Sequence, residues 1–579
     1  MNAIIRRRPV DFSTGRFTSS TPKILQRVLL GRGVASDDEL DHQLARLCSP
    51  ESMRGVDAAV NLLVNAVRNQ HKILIVGDFD ADGATSSTLA VLALGALGAG
   101  PVDYLVPNRF EFGYGLTPEI VAVAQEYHPD LLITVDNGIS SIEGVAAAKA
   151  AGLNVIVTDH HLPGSELPLA DAIVNPNQPG CEFPSKNLAG VGVIFYLLSR
   201  LKSVLQAGGW FEETGIAVPN MAEYLDLVAL GTVADLVPLD HNNRVLVHQG
   251  IARIRAGRCR PGIQALMDVA GRDRSRLSTT DIGFILGPRI NAAGRLDDIG
   301  TGIRCLMTRD PQEARELAAE LDGLNRDRKA IEAGMQREAM AALDQLQLAE
   351  EGLPWSLCLY DAAWHQGVVG ILASRIKEKF HRPVIAFADG DNGLIKGSAR
   401  SIAGLHIRDA LSDVAAANPE LISKFGGHAM AAGLSLRAEN LSAFTEAFEK
   451  AVRDRLKESQ LQAIIETDGE LESGEFSMET AALLRACAPW GQAFPEPEFD
   501  GEFLLLQHRI VGERHLKMTV APLSAPQQAI DAIAFNIDPD LWSAPVVPVE
   551  RVKLAFKLDI NEFRGRQSLQ LMVSLIQPL

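Results

Sequence analysis

The sequence lacks the features of an exported or membrane-bound chain. It has no unbroken apolar run long enough for a transmembrane helix, and no apolar signal-peptide core follows Met1. Its six cysteines show no CxxC spacing, so neither a zinc knuckle nor a disulfide framework is indicated. We therefore expect a cytoplasmic protein with reduced cysteines and no membrane association.

An excess of basic residues is also missing. The formal net charge of −17 argues against non-specific coating of nucleic acid, although it leaves room for a basic channel inside an acidic shell. Arginines do cluster at residues 6–8 and between Arg253 and Arg276. The chain has no GxGxxG fingerprint of a dinucleotide-binding fold. At 579 residues it is too long for one core, so we expect three or four domains.

The most informative stretch is KILIVGDFDADGATSS. Its apolar run Ile73–Val76 predicts a buried parallel strand, which delivers Asp78, Asp80 and Asp82 into the following loop before Gly83 allows a turn into a helix. Crowded carboxylates at the end of a parallel strand repel one another unless they share a cation, so a hard divalent metal is indicated. The alternative for so short a motif is a turn or a helix cap.

Two further predicted strands end in similar chemistry. Leu131–Val135 runs into the segment DNG, and Val155–Thr158 runs into the segment DHH. Strand and helix patterns alternate from about residue 55 to Asn177, which is typical of a doubly wound α/β domain with a parallel sheet. Three successive strands therefore end in acid or imidazole.

Other candidate residues lie outside these strand ends. Asp235 stands in an apolar helical run and needs a partner, as a helix cap or as a further metal ligand. Arg109 follows a strand in a glycine-punctuated loop, as a solvated surface residue or as a phosphate ligand. In RINAAGRL, small residues separate Arg289, Asn291 and Arg295, which would let two guanidinium groups grip phosphate oxygens.

The second half of the chain begins with a helix signal. Asp310, Pro311 and Glu313 mark a helix start, and amphipathic helices continue to about residue 349 as a connector. A smaller α/β domain follows, with loops rich in Gly, Ser, Arg and His, including GSARS and FGGHA. These loops either bind anions at helix N-termini or only connect strands.

The last stretch is typical of a small β-barrel. Its basic and aromatic residues alternate, as in a groove for single-stranded nucleic acid, although half-buried barrel strands show the same alternation. The predicted barrel strands are Ile464–Leu471, Phe503–Val511, Leu516–Val520, Ile530–Phe535, Val552–Leu558 and Leu569–Ile576.

Taken together, these motifs resemble the DHH phosphoesterase superfamily. GDFDADG, TVDNG, TDHH and GTVADLVPL match its four motifs in order, and RINAAGRL, WHQGVVGILASR, GSARS and FGGHAMAAG extend the likeness to the accessory DHHA1 domain and to the RecJ family. The resemblance covers nearly the whole chain. It implies an N-terminal extension (1–54), a doubly wound parallel-sheet DHH domain (55–308), a helical connector (309–352), a smaller α/β DHHA1 domain (353–456) and an OB-like β-barrel (457–579).

The implied activity is that of a metal-dependent 5′-to-3′ exonuclease. It would degrade single-stranded DNA to 5′-mononucleotides in recombination and repair, as a monomer, with a single-stranded DNA-binding protein and a RecQ-type helicase as partners. The resemblance implies two Mn²⁺ or Mg²⁺ ions bridged by Asp136. The other implied ligands are Asp80, Asp82, His160 and Asp235, while Asp78 occupies a position where relatives vary.

The resemblance also implies roles around the metal ions. His161 would lie by the scissile phosphate, and Asp159 would orient the histidine pair. The residues implied to neutralise charge on that phosphate are Arg289, Asn291 and His428. Those implied to bind the 5′ phosphate and DNA are Arg109, Ser398, Arg400 and Arg295.

Two other functions stay open. A DHH enzyme that cleaves short oligonucleotides, cyclic dinucleotides or pyrophosphate would share the metal motifs, although the barrel and the full length favour long DNA. A non-catalytic replication scaffold should have lost its ligands, whereas every matched position here keeps a competent side chain.

Overall fold

The computed structural model describes residues 3–107, 115–345, 353–390, 393–512, 514–537, 542, 550–563 and 565–579. It divides into two compact units, which we describe separately. The sheet unit comprises Pro9–Asn325 and Glu475–Pro497, and the barrel unit comprises Met1–Arg8, Arg326–Gly474 and Glu498–Leu579. No helix within the described ranges has the length and apolar character needed to cross a membrane.

The strands are, in chain order, β1 Ile4–Arg7, β2 Ile73–Val76, β3 Val102–Leu105, β4 Leu131–Val135, β5 Asn154–Thr158, β6 Ala172–Val174, β7 Leu357–Tyr360, β8 Val384–Asp389, β9 Leu394–Arg400, β10 Lys424–Gly427, β11 Ala431–Arg437, β12 Ile464–Thr467, β13 Phe499–Val511, β14 His515–Pro522, β15 Ile530–Ala534, β16 Arg551–Phe563 and β17 Arg566–Pro578.

The helices are α1 Lys23–Leu30, α2 Val56–Arg68, α3 Ala81–Ala96, α4 Pro118–Gln125, α5 Ile142–Ala150, α6 Gly190–Ala207, α7 Trp210–Thr214, α8 Leu225–Ala234, α9 His241–Arg255, α10 Pro261–Val269, α11 Thr279–Asp281, α12 Gly287–Leu296, α13 Gly300–Met307, α14 Pro311–Gln345, α15 Val369–Phe380, α16 Ile407–Ala417, α17 Leu441–Arg455 and α18 Met478–Ala486. A π-helical turn, Ile282–Leu286, joins α11 to α12.

The sheet unit is built on a parallel sheet with the strand order β3-β2-β4-β5-β6. Strands β2 and β4 have the predicted bounds and are buried along their whole length, as expected for central strands covered on both faces. Helix α3 begins at Ala81 rather than near Ala84. The earlier start follows from Asp80, whose carboxylate caps the helix by accepting the amides of Asp82 and Gly83 at 2.9 and 3.0 Å.

The barrel unit contains the two other predicted architectures. A mixed sheet of order β10-β11-β9-β8-β7 carries α15 to α17, and β13-β14-β15-β17-β16 form a closed barrel. These sheets confirm the predicted fold class of a second, smaller α/β domain and a C-terminal OB-like barrel. The connector is a single helix, α14, as far as Gln345.

One predicted barrel strand is wrong. The run Ile464–Leu471 ends as a strand at Thr467 and pairs in parallel with β1, outside the barrel. The N-terminal extension therefore starts with a strand. Ionic contacts accompany this pairing: Arg6 lies 2.6 Å from Glu466 on β12, and Arg7 lies 2.7 Å from the buried carboxylate of Asp500 on β13.

A second departure concerns residues 475–497, which fall inside the range predicted for the barrel (457–579). They pack within the sheet unit instead. The Arg244 guanidinium lies 4.4 Å from the ring centre of Phe494, and the amide of Leu239 donates to the carbonyl of Gln492 at 2.9 Å. The aromatic pair Trp490 and Phe494 is buried there, so the segment contributes apolar side chains to the core of the sheet unit.

Candidate metal centre

Acidic and imidazole side chains converge at one edge of the sheet unit. Because β2, β4 and β5 are parallel neighbours, the loops that follow them leave the sheet at the same edge. Three groups of side chains there have ligand atoms within 4.8 Å of one another: Asp78, Asp80 and Asp136; Asp82, His160 and Asp235; and Asp136, His160 and His161. All six predicted metal ligands, Asp78 included, belong to these groups.

Asp82 is held by the first turn of α6. Its two carboxylate oxygens accept the amides of Gly190 and Val191 at 2.6 and 3.0 Å. A Cβ atom on Gly190 would lie 2.6 Å from Cβ of Asp136, and one on Gly231 would lie 2.8 Å from Oδ1 of Asp82. Glycine at these two positions therefore lets α6 and α8 approach the carboxylates, a requirement that the sequence motifs did not reveal.

Asp136 adopts an uncommon backbone conformation. Its φ of +63° lies in the left-handed region, which costs a non-glycine residue roughly 1–3 kcal/mol. The neighbouring Asn137 side chain donates to the carbonyls of Val76 and Val135 at 3.1 and 2.9 Å, which ties the ends of β2 and β4 together. The sharp turn directs Asp136 towards Asp78 and Asp80 and explains why an Asn-Gly pair follows it.

Burial and mutual repulsion disfavour the charged form of these carboxyl groups. Burial, reinforced by the charge of Asp80, raises the pKa of Asp82 to about 7. Burial and the charge of Asp82 raise the pKa values of Asp136 and Asp235 well above the ordinary range. A divalent cation would relieve this repulsion, and a donor set made mostly of carboxylate oxygens fits Mn²⁺ or Mg²⁺.

The histidine pair is oriented by Asp159. This buried carboxylate accepts the amides of Ile139, His160 and His161 at 2.9, 2.7 and 3.1 Å, and its Oδ1 lies 2.7 Å from Nδ1 of His161. Burial raises the pKa of Asp159, but the bond to His161 and the charges of both histidines outweigh it, so the pKa is lowered. Asp159 is thus ionised at neutral pH.

The two imidazoles have different surroundings. Nε2 of His160 lies 3.1 Å from Asp136 and 3.5 Å from Asp235, as suits a metal ligand shared among carboxylates. Burial lowers the pKa of His161, but the hydrogen bond to Asp159 and the nearby carboxylates outweigh it and raise the pKa to about 9. His161 therefore carries a proton at neutral pH. Asn175 and Asn177, which the motifs did not single out, donate to the carbonyls of His161 and His160.

Helix α12 lies against the loop that carries the carboxylates. Oδ1 of Asn291 accepts the amide of Ala81 at 2.7 Å, and a Cβ atom on Gly294 would lie 1.8 Å from the carbonyl oxygen of Phe79. The small residues of this segment thus pack the helix against the loop. Arg295 is half-buried in the last turn of α12.

Arg289 is engaged within the sheet unit. Its guanidinium lies 2.9 Å from Asp322 and donates to the carbonyl of Ile285 at 2.7 Å. The sequence pattern had suggested a phosphate for this side chain and gave no sign of these two partners.

The predicted DNA-binding residues of the barrel unit lie on its mixed sheet. Nη1 of Arg400 lies 3.1 Å from Oγ of Ser398, and a Cβ atom on Gly370 would lie within 2.9 Å of both side chains. Arg400 and Ser398 therefore border the first turn of α15, and burial lowers the pKa of Arg400. His428 is exposed between β10 and β11. Arg109 lies outside the described residues.

Comparison with known proteins supports the same domains. Residues 72–232 match the model of the DHH family N-terminal domain, residues 355–454 the DHHA1 domain and residues 467–574 the RecJ OB domain. Among solved structures, RecJ of Thermus thermophilus in complex with Mn²⁺ is 30% identical with a TM-score of 0.78, over 97% of this chain and 79% of that one. The Mg²⁺ complex of the same protein is 28% identical with a TM-score of 0.74, over 100% and 79%.

Curated relatives are similar over their full length. The chain is 54% identical to the single-stranded-DNA-specific exonuclease RecJ of Dickeya dadantii, over 100% of both chains. It is 55% identical to the protein of that name from Escherichia coli, over 99% of both. The resemblance drawn from the motifs is thereby confirmed: this chain belongs to the RecJ family within the DHH phosphoesterases.

Proposed function

We propose that the chain is a metal-dependent exonuclease that degrades single-stranded DNA in the 5′-to-3′ direction to 5′-mononucleotides, in recombination and repair. The observation that carries the proposal is the complete set of ligands gathered at one edge of the parallel sheet, in a chain more than half identical to curated single-stranded-DNA-specific exonucleases. A degenerate scaffold would not retain such a set.

Two Mn²⁺ or Mg²⁺ ions would occupy this site. Asp78, Asp80 and Asp136 would hold one ion and Asp82, His160 and Asp235 the other. Asp136 would serve both, because its carboxylate also lies 3.1 Å from Nε2 of His160. When bound, the ions supply Lewis-acid activation of water and stabilise negative charge on the phosphate.

His161 is the main catalytic side chain of the protein itself. Its Nδ1 is held by Asp159, which leaves Nε2 to donate to a phosphate oxygen or to give its proton to the departing oxygen. Asp159 acts as a positioning residue through His161. Asn291 would fix the loop of metal ligands through Ala81, and Arg295 would add positive charge along the DNA. Arg289 is engaged by Asp322 and Ile285, so it would act by holding the start of α12 in place. In the barrel unit, His428 would donate to a phosphate of the DNA.

Selection of a 5′ end would fall to Arg400 and Ser398. Within the described residues no carboxylate forms an ion pair with Arg400, which is half-buried. It also borders the N-terminal turn of α15. A half-buried cation beside a helix N-terminus suits a terminal phosphate.

The barrel would hold the trailing strand. Arg509 on β13 stands directly opposite Lys517 on β14, whose ammonium lies 3.6 Å from Asp531. The two neighbouring cations would offer positive charge to the phosphates of a single strand. We further propose that the enzyme works as a cytoplasmic monomer alongside a single-stranded DNA-binding protein and a RecQ-type helicase. Size-exclusion chromatography and co-purification would test this oligomeric state and these partners.

The proposed activity is tested with end-labelled DNA. Single strands labelled at the 5′ or the 3′ end, with and without a 5′ phosphate, are digested in Mn²⁺ by the wild type, by Asp136→Ala and by the matched control Asp57→Ala, whose carboxylate is exposed at the surface. We expect immediate release of mononucleotides from the 5′ label, lost only in Asp136→Ala. Internal cuts, or activity confined to dinucleotides or cyclic dinucleotides, would contradict the proposal.

A further inference from the structure

An exposed phenylalanine stands out in the sheet unit. Phe284 is 74% exposed, although Ile282 and Leu286 on the same short turn are fully buried. The turn is π-helical, a rare geometry that occurs mostly as single turns and frequently at functional sites. An aromatic ring kept in water by an irregular turn calls for a partner that covers it.

This turn packs directly beside the metal centre. A Cβ atom on Gly283 would lie 3.6 Å from Cγ1 of Val233, and one on Gly287 would lie 3.0 Å from Cβ of Ala234. Val233 and Ala234 immediately precede the ligand Asp235. The π turn that carries Phe284 therefore packs against the two residues that precede the ligand Asp235.

Two further apolar side chains are exposed next to metal-centre residues. Leu236 follows Asp235, has a φ of +60° and is 63% exposed, and Leu162 follows His161 and is also 63% exposed. Single exposed leucines are ordinary on protein surfaces. Here the chain places them directly after groups that would contact the metal ions or the phosphate.

The π turn is held at both ends. Arg289 donates to the carbonyl of Ile285, the residue after Phe284, and is itself fixed by Asp322. On the other side, Ser278 and Asp281 form a reciprocal capping box that anchors α11. The ring of Phe284 is therefore mounted on a backbone that needs little ordering when a ligand binds, which favours affinity.

We propose that Phe284 is a stacking platform for an unpaired nucleobase close to the phosphodiester bond that is cut, with Leu236 and Leu162 offering further apolar contacts to the strand next to the metal ligands. Every base has a π-face, so such a contact tolerates any sequence. A base in a duplex would first have to lose its pairing and stacking before it could bind Phe284. The platform would thus add selectivity for single strands. This inference rests on the proposed exonuclease function.

The test uses steady-state kinetics on single-stranded DNA with Mn²⁺. From the usual strength of base stacking on an aromatic residue, we expect Phe284→Ala to raise KM about tenfold or more with kcat little changed, and Phe284→Tyr to restore KM. The matched control is Leu169→Ala, which truncates an 85% exposed leucine of the same unit. It should leave KM unchanged.

Substrates with one abasic position test the contact with the base itself, because a purely structural effect of Phe284→Ala would not depend on whether that base is present. On the wild type, one abasic position near the 5′ end should raise KM by a similar factor, and Phe284→Ala should show no further loss at that position. The inference is overturned if no single position raises KM on the wild type, if the two losses multiply, or if Phe284→Tyr behaves like Phe284→Ala. The wild-type scan decides even if Phe284→Ala fails to fold. Failure of the wild type to degrade any single strand would instead overturn the proposed function.

Discussion

Gly294 decides how closely α12 can approach the loop of metal ligands. Replacement by alanine would put a Cβ atom 1.8 Å from the carbonyl oxygen of Phe79, a backbone atom that cannot swing aside. Restoring an ordinary contact needs a shift of about 1 Å or more, which would also strain the bond between Asn291 and Ala81. Overpacking of this kind costs about 1–3 kcal/mol of folding free energy, and a misplacement of about 1 Å at a catalytic site costs about 10²-fold in rate.

We therefore expect Gly294→Ala to unfold at lower urea concentration and to lose about 10²-fold in kcat on single-stranded DNA, with weaker Mn²⁺ binding in a calorimetric titration. The matched control is Gly95→Ala in α3, where a Cβ atom would meet no heavy atom within 4 Å. Its helix should be unchanged or stabilised by up to about 1 kcal/mol. A Gly294→Ala enzyme with wild-type kcat and urea midpoint would refute this account of the loop.

Three other outcomes follow from the charges and contacts described above. In EDTA at pH 8, Asp136→Asn should melt at a higher temperature than the wild type in differential scanning calorimetry. The raised pKa of Asp136 shows that its charged form is unfavourable when buried, and the substitution removes that charge. Added Mn²⁺ should stabilise only the wild type, and equal melting temperatures in EDTA would contradict this. His42 stacks on His248 with ring centres 4.7 Å apart, and burial lowers the pKa of His42 to about 4. The free energy of unfolding should therefore fall by up to about 3 kcal/mol as the pH drops from 6.5 towards 4. Urea titrations at several pH values should show a weaker acid loss for His42→Phe, and an unchanged loss would count against burial as its cause. Arg400→Ala should lower the preference for a 5′-phosphorylated over a 5′-hydroxyl strand about 10-fold or more in competition digests, with kcat on the unphosphorylated strand retained; an unaltered preference would remove Arg400 from the end pocket.

The metal centre was largely predictable from the sequence because its signals are local. The apolar run of β4 ends immediately before Asp136, and that of β2 ends one residue short of Asp78, so each strand and its carboxylate lie in one short segment of sequence. A parallel sheet then brings such ends to one edge without further information. The same reasoning extends to His160, which follows β5.

The residues that shape the site around these ligands could not be predicted in this way. Gly190 makes room for Asp136, and Gly294 makes room for Phe79, but in each case the partner is far away in the sequence. A glycine that fits against a distant backbone looks the same in the sequence as one that ends a helix. Likewise, nothing near Arg289 announces that Asp322 will bind it.

The short strand β1 has a consequence for how the chain is made. Arg6 finds its partner Glu466 460 residues later, and the barrel unit is assembled from three separate stretches of chain. At the usual rate of synthesis, roughly 20–90 s pass between the emergence of these two residues. Strand β1 therefore stays without its partner until β12 has been made, so a bulky group attached next to β1 would interfere with a late step of assembly rather than the first.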